Sequence, residues 1–390
     1  MKSFKLRFLP IILTLSTVTF LTILSLLYAK GYRLLVNVSN TGHDIYPTPR
    51  IVLRKTGILA VRSIPDSAKV YMNDNLVDIT NATLSSLSPG KYNLKVIKEG
   101  FEIWQKEVVV FEDLVTDITA LLVLKGGGLN PLTNTGVSDF ALSKNGEMLA
   151  YLTKGEEKPG LWVLQLSDSP LNIFQTNKRV LALDSDKFSY SSGEALFWSP
   201  DDQEILVKMN DRGYLLLDTA KPPTQIPIIL SRTQDIFNKW ENLDLENKLS
   251  NAEGLMIPNN IKISAVSANS VWSPDGEKFY LVEKDSEYNI IMVYNFEDPL
   301  PIGESRINLT AKFKVDQTPN IFWYSDSKHL IFVTGRTISL VNIDGTNLVE
   351  LFSGDVIGSK AYSSPSGDKV IILSKFKSDA PENLYTISIR

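Results

Sequence analysis

Cysteine is missing altogether. That excludes disulfides, thiolate metal sites, cysteine nucleophiles and a lipid-modified cysteine anchor. Histidine is nearly missing: His43 and His329 are the only two in 390 residues. His43 sits in a polar loop stretch and His329 in an expected hairpin turn, Asp326-Ser327-Lys328-His329. Both places read as solvent-exposed, which leaves nucleophile–base catalysis short of candidates. There is no Gly-x-Ser-x-Gly, no His-Glu-x-x-His, no phosphate loop and no Rossmann glycine set. A large charge of either sign is also missing. Net charge is −4, and no long basic run occurs outside the extreme N-terminus, so nucleic acid is disfavoured as a partner. Carboxylate pairs stand at Asp184 and Asp186 and at Asp201 and Asp202. Neither has the further oxygen ligands at fixed offsets that a calcium loop needs, and both read as turn formers and solvated charges. The expectation is no cofactor, no metal and no enzymatic activity. A carboxylate pair assembled from distant segments, as in a glycosidase, is a chemistry that local spacing does not test.

What is present begins with an apolar run. Lys2, Lys5 and Arg7 precede an uncharged stretch from Phe8 to Ala29, rich in Leu, Ile, Val and Thr. At about 1.5 Å per residue it spans roughly 33 Å, enough for a bilayer core. A cleaved signal peptide has a shorter apolar region, although Leu27-Tyr28-Ala29 could pass as a poor cleavage site. The reading is an uncleaved signal anchor over 8–29 with a cytoplasmic tail at 1–7. The positive-inside rule then puts the bulk of the chain outside the cytoplasm, softened by Lys30 and Arg33 on the far side. Residues 30–56 read as a stem, because Asn37 to Pro49 carries Ser, Asn, Thr, Gly, Asp and Pro, which is loop chemistry.

From Gly57 short alternating strands begin. Leu59 and Val61 alternate, and Pro65-Asp66-Ser67-Ala68 turns into Val70-Tyr71-Met72. Ser88-Pro89-Gly90 leads into Tyr92, Leu94 and Val96 with a period of two. Glu99-Gly100 turns again before Phe101, Trp104 and Val108 to Val110. Over 57–111 this pattern resembles a PEGA domain, which implies a small β-sandwich acting as spacer or adhesive unit. The family's Pro-Glu-Gly-Ala is Pro-Asp-Ser-Ala here, so the signature is degenerate while the frame is kept. Trp104 and Tyr92 could form a sugar-stacking pair, but in so small a domain they read as core and edge aromatics.

The rest of the chain is organised by a repeat. Trp272-Ser273-Pro274-Asp275-Gly276 leads into Phe279 to Val282, and Trp198-Ser199-Pro200-Asp201-Asp202 into Ile205 to Val207. Looser copies are Trp323-Tyr324-Ser325-Asp326-Ser327, Ser364-Pro365-Ser366-Gly367 and Ser143-Lys144-Asn145-Gly146. Proline presets its φ, and Asp-Gly tolerates the turn that follows. A further strand trails each copy: Leu161–Leu166, Tyr214–Asp218, Ile290–Phe296, Ile338–Ile343 and Leu384–Ile389. Five such units in an all-β chain read as propeller blades over 136–390, or six if 226–266 hides a degenerate copy. The Trp-Ser-Pro-Asp-Gly copies resemble the repeats of TolB-like, WD-related β-propellers.

Residues 112–135 join the two parts. The last repeat reaches Arg390 with no closing strand, so the segment Ala120–Thr133 is expected to supply it and remove an exposed sheet edge. From Thr233 to Ala252, Ile236, Phe237, Trp240, Leu243 and Leu249 fall at helical spacing, with Gly254 as a stop. This helical insertion is expected to lay its apolar face on a neighbouring blade. The expected whole is a mainly β, single-pass protein of the cell membrane: transmembrane helix, PEGA-like sandwich, then propeller. Its expected work is binding or scaffolding of a protein, peptide or cell-wall glycan. The alternative is a carbohydrate-active or hydrolase-accessory propeller.

Overall fold

The computed structural model describes residues 3–38, 49–154, 158–166, 178–210, 213–375 and 380–390. The chain divides into two compact units. One comprises Met1–Lys98, Ile103–Leu121 and Pro301–Glu304; the other comprises Glu99–Glu102, Leu122–Leu300 and Ser305–Arg390.

The first unit opens with helix α1 (Ser3–Ala29). Within it Pro10–Ala29, 20 residues, is long and apolar enough to cross a membrane, and nothing in the protein buries it. Its threonines hide their own donors: the hydroxyls of Thr17, Thr19 and Thr22 donate to the carbonyls of Leu13, Leu15 and Val18. Such bonds satisfy the hydroxyl donors within the helix itself. Strands β1 (Tyr32–Val38) and β2 (Pro49–Lys55) follow and pair antiparallel, Tyr32 opposite Lys55 through Val38 opposite Pro49. The stem expected as loop at 30–56 thus contains a two-stranded ribbon. Runs such as Leu34-Leu35-Val36 and Ile51-Val52-Leu53 favour strands, and most of the polar stretch that suggested a loop lies between them. His43 lies in that stretch, outside the described residues.

Seven strands complete this unit: β3 (Gly57–Ile64), β4 (Lys69–Met72), β5 (Asn75–Ile79), β6 (Ala82–Leu87), β7 (Gly90–Ile97), β8 (Trp104–Val110) and β9 (Val115–Leu121). They form two sheets, β6-β3-β9 and β5-β4-β7-β8. Alternate residues are buried, among them Leu59, Val61, Val70, Leu94, Val96, Trp104, Val108 and Val110, so each sheet offers one apolar face to a small sandwich core. Gly57 stands where a Cβ would lie 2.1 Å from the Phe111 carbonyl oxygen, which explains the glycine at the entry to β3. Strand β9 pairs parallel with β3, Ile58 opposite Val115 through Ile64 opposite Leu121. Ala120 and Leu121 therefore belong to the sandwich rather than to the closing segment the sequence suggested. Only a long-range parallel pairing puts them there, and local pattern carries no record of it.

The second unit is a β-propeller of five four-stranded blades. Strand β10 (Leu129–Pro131) precedes them. Blade 1 is β11 (Val137–Leu142), β12 (Met148–Thr153), β13 (Gly160–Gln165) and β14 (Lys178–Leu183). Blade 2 is β15 (Ala195–Trp198), β16 (Glu204–Met209), β17 (Gly213–Asp218) and β18 (Ile228–Leu230). Helices α2 (Gln234–Gly254) and α3 (Asn259–Ala265) come next. Blade 3 is β19 (Val271–Trp272), β20 (Lys278–Lys284), β21 (Tyr288–Asn295) and β22 (Ile307–Lys314). Blade 4 is β23 (Asn320–Trp323), β24 (His329–Thr334), β25 (Thr337–Asn342) and β26 (Val349–Ser353). Blade 5 is β27 (Ala361–Ser363), β28 (Lys369–Ser374) and β29 (Asn383–Ser388). Its fourth strand is β10, with Leu129, Asn130 and Pro131 opposite Ile387, Thr386 and Tyr385.

The apolar cores lie between blades. Leu152, Leu161 and Leu181 of blade 1 pack with Leu196, Ile205 and Leu217 of blade 2. Phe140 and Leu149 of blade 1 pack with Ile371, Leu373 and Leu384 of blade 5. Tyr280, Ile291 and Val293 of blade 3 meet Leu330, Phe332 and Val341 of blade 4. Between blades 2 and 3 the helices intervene. Trp240 of α2 packs on Leu206 and Leu216 of blade 2, while Ala252 of α2 and Ala265 of α3 pack with Trp272, Phe279 and Leu281 of blade 3. The insertion therefore packs against both blades and lies between them.

Candidate binding face of the propeller

The repeat folds into one turn, built five times. In each copy the first residue's N–H donates to a carbonyl five residues on: Ser143 to Met148, Ser199 to Glu204, Ser273 to Lys278, Tyr324 to His329 and Ser364 to Lys369, at 2.8–3.0 Å. The residue three places on has positive φ: Gly146, Asp202, Gly276, Ser327 and Gly367. Where Ser and Asp or Asn are kept, the hydroxyl caps the turn, as in Ser199 Oγ to Asp201 and Ser273 Oγ to Asp275, both 2.5 Å. Because every turn joins the first and second strands of its blade, all five lie at one end of the propeller.

At that end the turns also bind one another. Asp202 of blade 2 accepts the Lys144 and Asn145 amides of blade 1 at 2.6 and 3.0 Å. The Asp275 amide of blade 3 donates to Ser327 Oγ of blade 4 at 3.1 Å. The Tyr324 hydroxyl of blade 4 donates to the Gly367 carbonyl of blade 5. Burial raises the pKa of the Asp202 carboxyl against the pull of its two amides. The sequence treated Asp201 and Asp202 as solvated turn charges; Asp202 is an inter-blade acceptor. Asp184 accepts from Ser189 Oγ and from the amide and hydroxyl of Ser191, and Asp186 is exposed.

His329 is a correction. It was expected in an exposed turn, but it is 7 % exposed and its Nδ1 lies 2.7 Å from Asp326 Oδ2. The ring sits edge-on to Tyr324, centroids 6.0 Å apart. Burial works to raise the Asp326 carboxyl, but the imidazole and the amides of Lys328 and His329 win and hold it low. The pair fastens the one turn whose Ser is replaced by Tyr. Lys278, at the same place in blade 3, is 1 % exposed and faces Asp275 at 3.0 Å and Glu297 at 3.3 Å. Burial pulls its pKa down, yet the two carboxylates prevail and raise it. These are spent charges, occupied in holding turns.

The opposite end differs. Lys360, just before β27, places Nζ 2.7 and 2.9 Å from the two oxygens of Asp139 on β11 and 3.0 Å from the Phe140 carbonyl. Asp139 Oδ2 also accepts the Leu196 amide of β15 at 2.8 Å. One ion pair thus spans blades 5, 1 and 2 on their innermost strands. Beside it runs an aromatic series across blades 4, 5 and 1: Phe322 to Tyr362 at 5.2 Å and Tyr362 to Phe140 at 5.4 Å, both edge-to-face. Burial, and then the Asp139 charge, push the Tyr362 phenol up. Tyr362 therefore remains a neutral donor at physiological pH. Chemically this cluster can stack and donate a hydrogen bond. Sequence reasoning did not single out Asp139, Lys360 or Tyr362, because the pair joins residues 221 apart and no spacing announces it.

In the first unit, Trp104 is 5 % exposed, and the Tyr92 hydroxyl donates to the Ser88 carbonyl at 2.7 Å. Trp104 is thus a core residue and Tyr92 ties down its own turn.

Residues 56–125 match the PEGA domain model. The match takes in every strand of the sandwich, β3 to β9. The PEGA domain therefore extends past the 57–111 expected, because β9 completes its smaller sheet. No curated protein matches the chain in sequence. Among solved structures, TolB from Acinetobacter baumannii is 13 % identical with a TM-score of 0.27, over 76 % of this chain and 60 % of that one. This chain thus spans less than two thirds of that protein. A putative TolB from Agrobacterium tumefaciens is 14 % identical with a TM-score of 0.25, over 67 % and 97 %. The oligogalacturonate lyase of Vibrio parahaemolyticus is 9 % identical with a TM-score of 0.28, over 77 % and 86 %. These likenesses are distant, and the propeller assignment rests on the five sheets and their closure by β10.

Proposed function

We propose that this chain is a single-pass protein of the cell envelope, anchored by α1, that holds its PEGA domain and propeller outside the cytoplasm for binding or scaffolding. The observation that carries the reading is the unburied apolar span Pro10–Ala29, attached to two β units. Lys2, Lys5 and Arg7 on the short side favour a cytoplasmic N-terminus. The propeller's ligand is a protein, peptide or cell-wall glycan. The inner-strand cluster of Phe322, Tyr362 and Lys360 offers stacking and hydrogen-bond donation to such a ligand.

The test is topology. A tag follows Arg390; spheroplasts and lysed cells are treated with protease, and membranes are washed separately with salt and carbonate. Digestion in spheroplasts, with the uncut protein staying in the washed membranes, is the expected result. Protection in spheroplasts until lysis would put the propeller in the cytoplasm and overturn the orientation.

A further inference from the structure

In the first unit, helix α1 runs into the PEGA domain without slack. The Lys30 amide donates to the Leu26 carbonyl and the Gly31 amide to the Tyr28 carbonyl. Gly31 has φ of 81°, the left-handed close that glycine gives a helix. Its carbonyl then accepts both the amide and the hydroxyl of Thr56, at 3.1 and 2.7 Å. Thr56 stands just before β3, and its own carbonyl accepts the Asp113 amide at 3.1 Å. Next along, the Ile58 amide donates to the Leu114 carbonyl at 3.0 Å, and the Lys55 ammonium pairs with the Asp113 carboxylate. The residue that ends α1 is thus bonded, through Thr56, to the turn between β8 and β9.

That turn is apolar at its exit. Leu114 is 43 % exposed, and Val115, which opens β9, is 49 % exposed. Phe111, at the entry, has Gly303 beside it. Two hydrogen-bonded backbone spacings separate Gly31 from Asp113, so the turn lies within about 10 Å of the helix end. The apolar span itself closes at Ala29, and a headgroup layer of roughly 5–7 Å lies beyond the hydrocarbon on each side of a bilayer. Charges here are mixed: exposed Lys30 and Arg54, with Lys55, stand against exposed Glu112 and Asp113. A headgroup layer keeps such ions wet while apolar side chains leave water.

We propose that the base of the PEGA domain is a membrane-surface site, with Leu114 and Val115 seated in the headgroup layer of the bilayer that α1 spans. The domain is then mounted on the lipid rather than tethered above it. This rests on the reading of α1 as a membrane anchor and is independent of which side of the membrane the domain occupies.

The absence of cysteine lets one probe be placed at a time. The full chain, in phosphatidylcholine nanodiscs, carries an environment-sensitive nitrobenzoxadiazole probe on Leu114→Cys. Ile79→Cys is the control, apolar and 54 % exposed. Ile79 stands opposite Lys69, and Lys69 opposite Ile97. Ile97 is the far end of β7, whose Gly90 end pairs with Val110 beside the turn, and seven residue steps put it roughly 23 Å away. Val18→Cys, within α1, marks the hydrocarbon. At position 114 the expected result is blue-shifted emission, quenched more by lipid with a nitroxide on its headgroup than by lipid with one deep in its acyl chain. Position 18 should show the reverse order, and position 79 neither shift nor quenching. Emission at position 114 matching that at position 79, with position 18 quenched, would overturn the proposal and leave the anchor standing. Position 18 unquenched as well would remove the anchor with it.

Discussion

Lys360→Met should loosen three blades at once. The Lys360 side chain is 25 % exposed and the Asp139 side chain 8 %. The substitution leaves a buried carboxylate whose remaining partner is the Leu196 amide. Removing one member of a buried ion pair costs about 3–5 kcal/mol. For a unit of this size each kcal/mol moves the midpoint by about 2–4 °C, so a fall of roughly 10 °C is expected. Asp139→Asn should cost less, about 2 kcal/mol, because it still accepts from Leu196 and the lysine can turn toward water. Combining the two should cost less than their sum, since the second change removes a group already orphaned by the first. Thermal melts of the full chain and its three variants, followed by near-ultraviolet circular dichroism, measure this. A Lys360→Met midpoint within about 1 °C of the parent would refute the reasoning, as would strict additivity in the double variant.

Two further outcomes follow from the propeller's chemistry. The Asp368 carboxyl is lowered to about 2: burial opposes this, but hydroxyls of Ser366 and Ser364 and the Lys369 ammonium prevail. A depressed carboxylate stabilises fully above its unfolded value of 3.8 and loses that contribution as pH falls through about 2. Asp368→Asn should therefore cost about 1–2 kcal/mol at neutral pH after allowance for solvent screening, with the gap to the parent closing between about pH 4 and 2; a constant gap across acid denaturation curves counts against it. Because the chain has no cysteine, Asn130→Cys with Thr386→Cys, an opposed pair on β10 and β29, introduces one defined bond. Confirmed by mass spectrometry, it should stabilise by about 2–4 kcal/mol, and an unchanged or lower melting point would deny that β10 closes the propeller in solution.

Local chemistry was legible and distant pairing was not. Trp-Ser-Pro-Asp specifies a turn through proline's fixed φ, followed by Gly276 in blade 3 and Asp202 in blade 2 at the positive-φ place, so both blades could be read directly. The turn at Tyr324 keeps the same hydrogen bonds without Pro or Gly, because Ser327 adopts φ of 57° and His329 with Asp326 supplies the missing fastening. The helix at Gln234–Gly254 showed in its apolar spacing, though nothing in that spacing says that it separates two blades. His329 was misplaced because exposure was judged from the hairpin alone, whereas the Asp326 contact and the Tyr324 ring bury it. The parallel partner of β9 and the Asp139–Lys360 bond were invisible for one reason. Each depends on residues that only the folded chain brings together, and their sequence neighbours give no sign of it.

Closure by β10 also sets an order of events during synthesis. Thr133 and Asn383, which bond across the seam, are 250 residues apart. At about 5–20 residues per second, roughly 10–50 s separate the making of one side from the making of the other. Through that interval the first blade exists with its closing partner unmade, and the nascent chain carries an open β-edge from the beginning of the propeller to its last strand. A chaperone that shields such edges would matter most in that interval, before Asn383–Ser388 emerges.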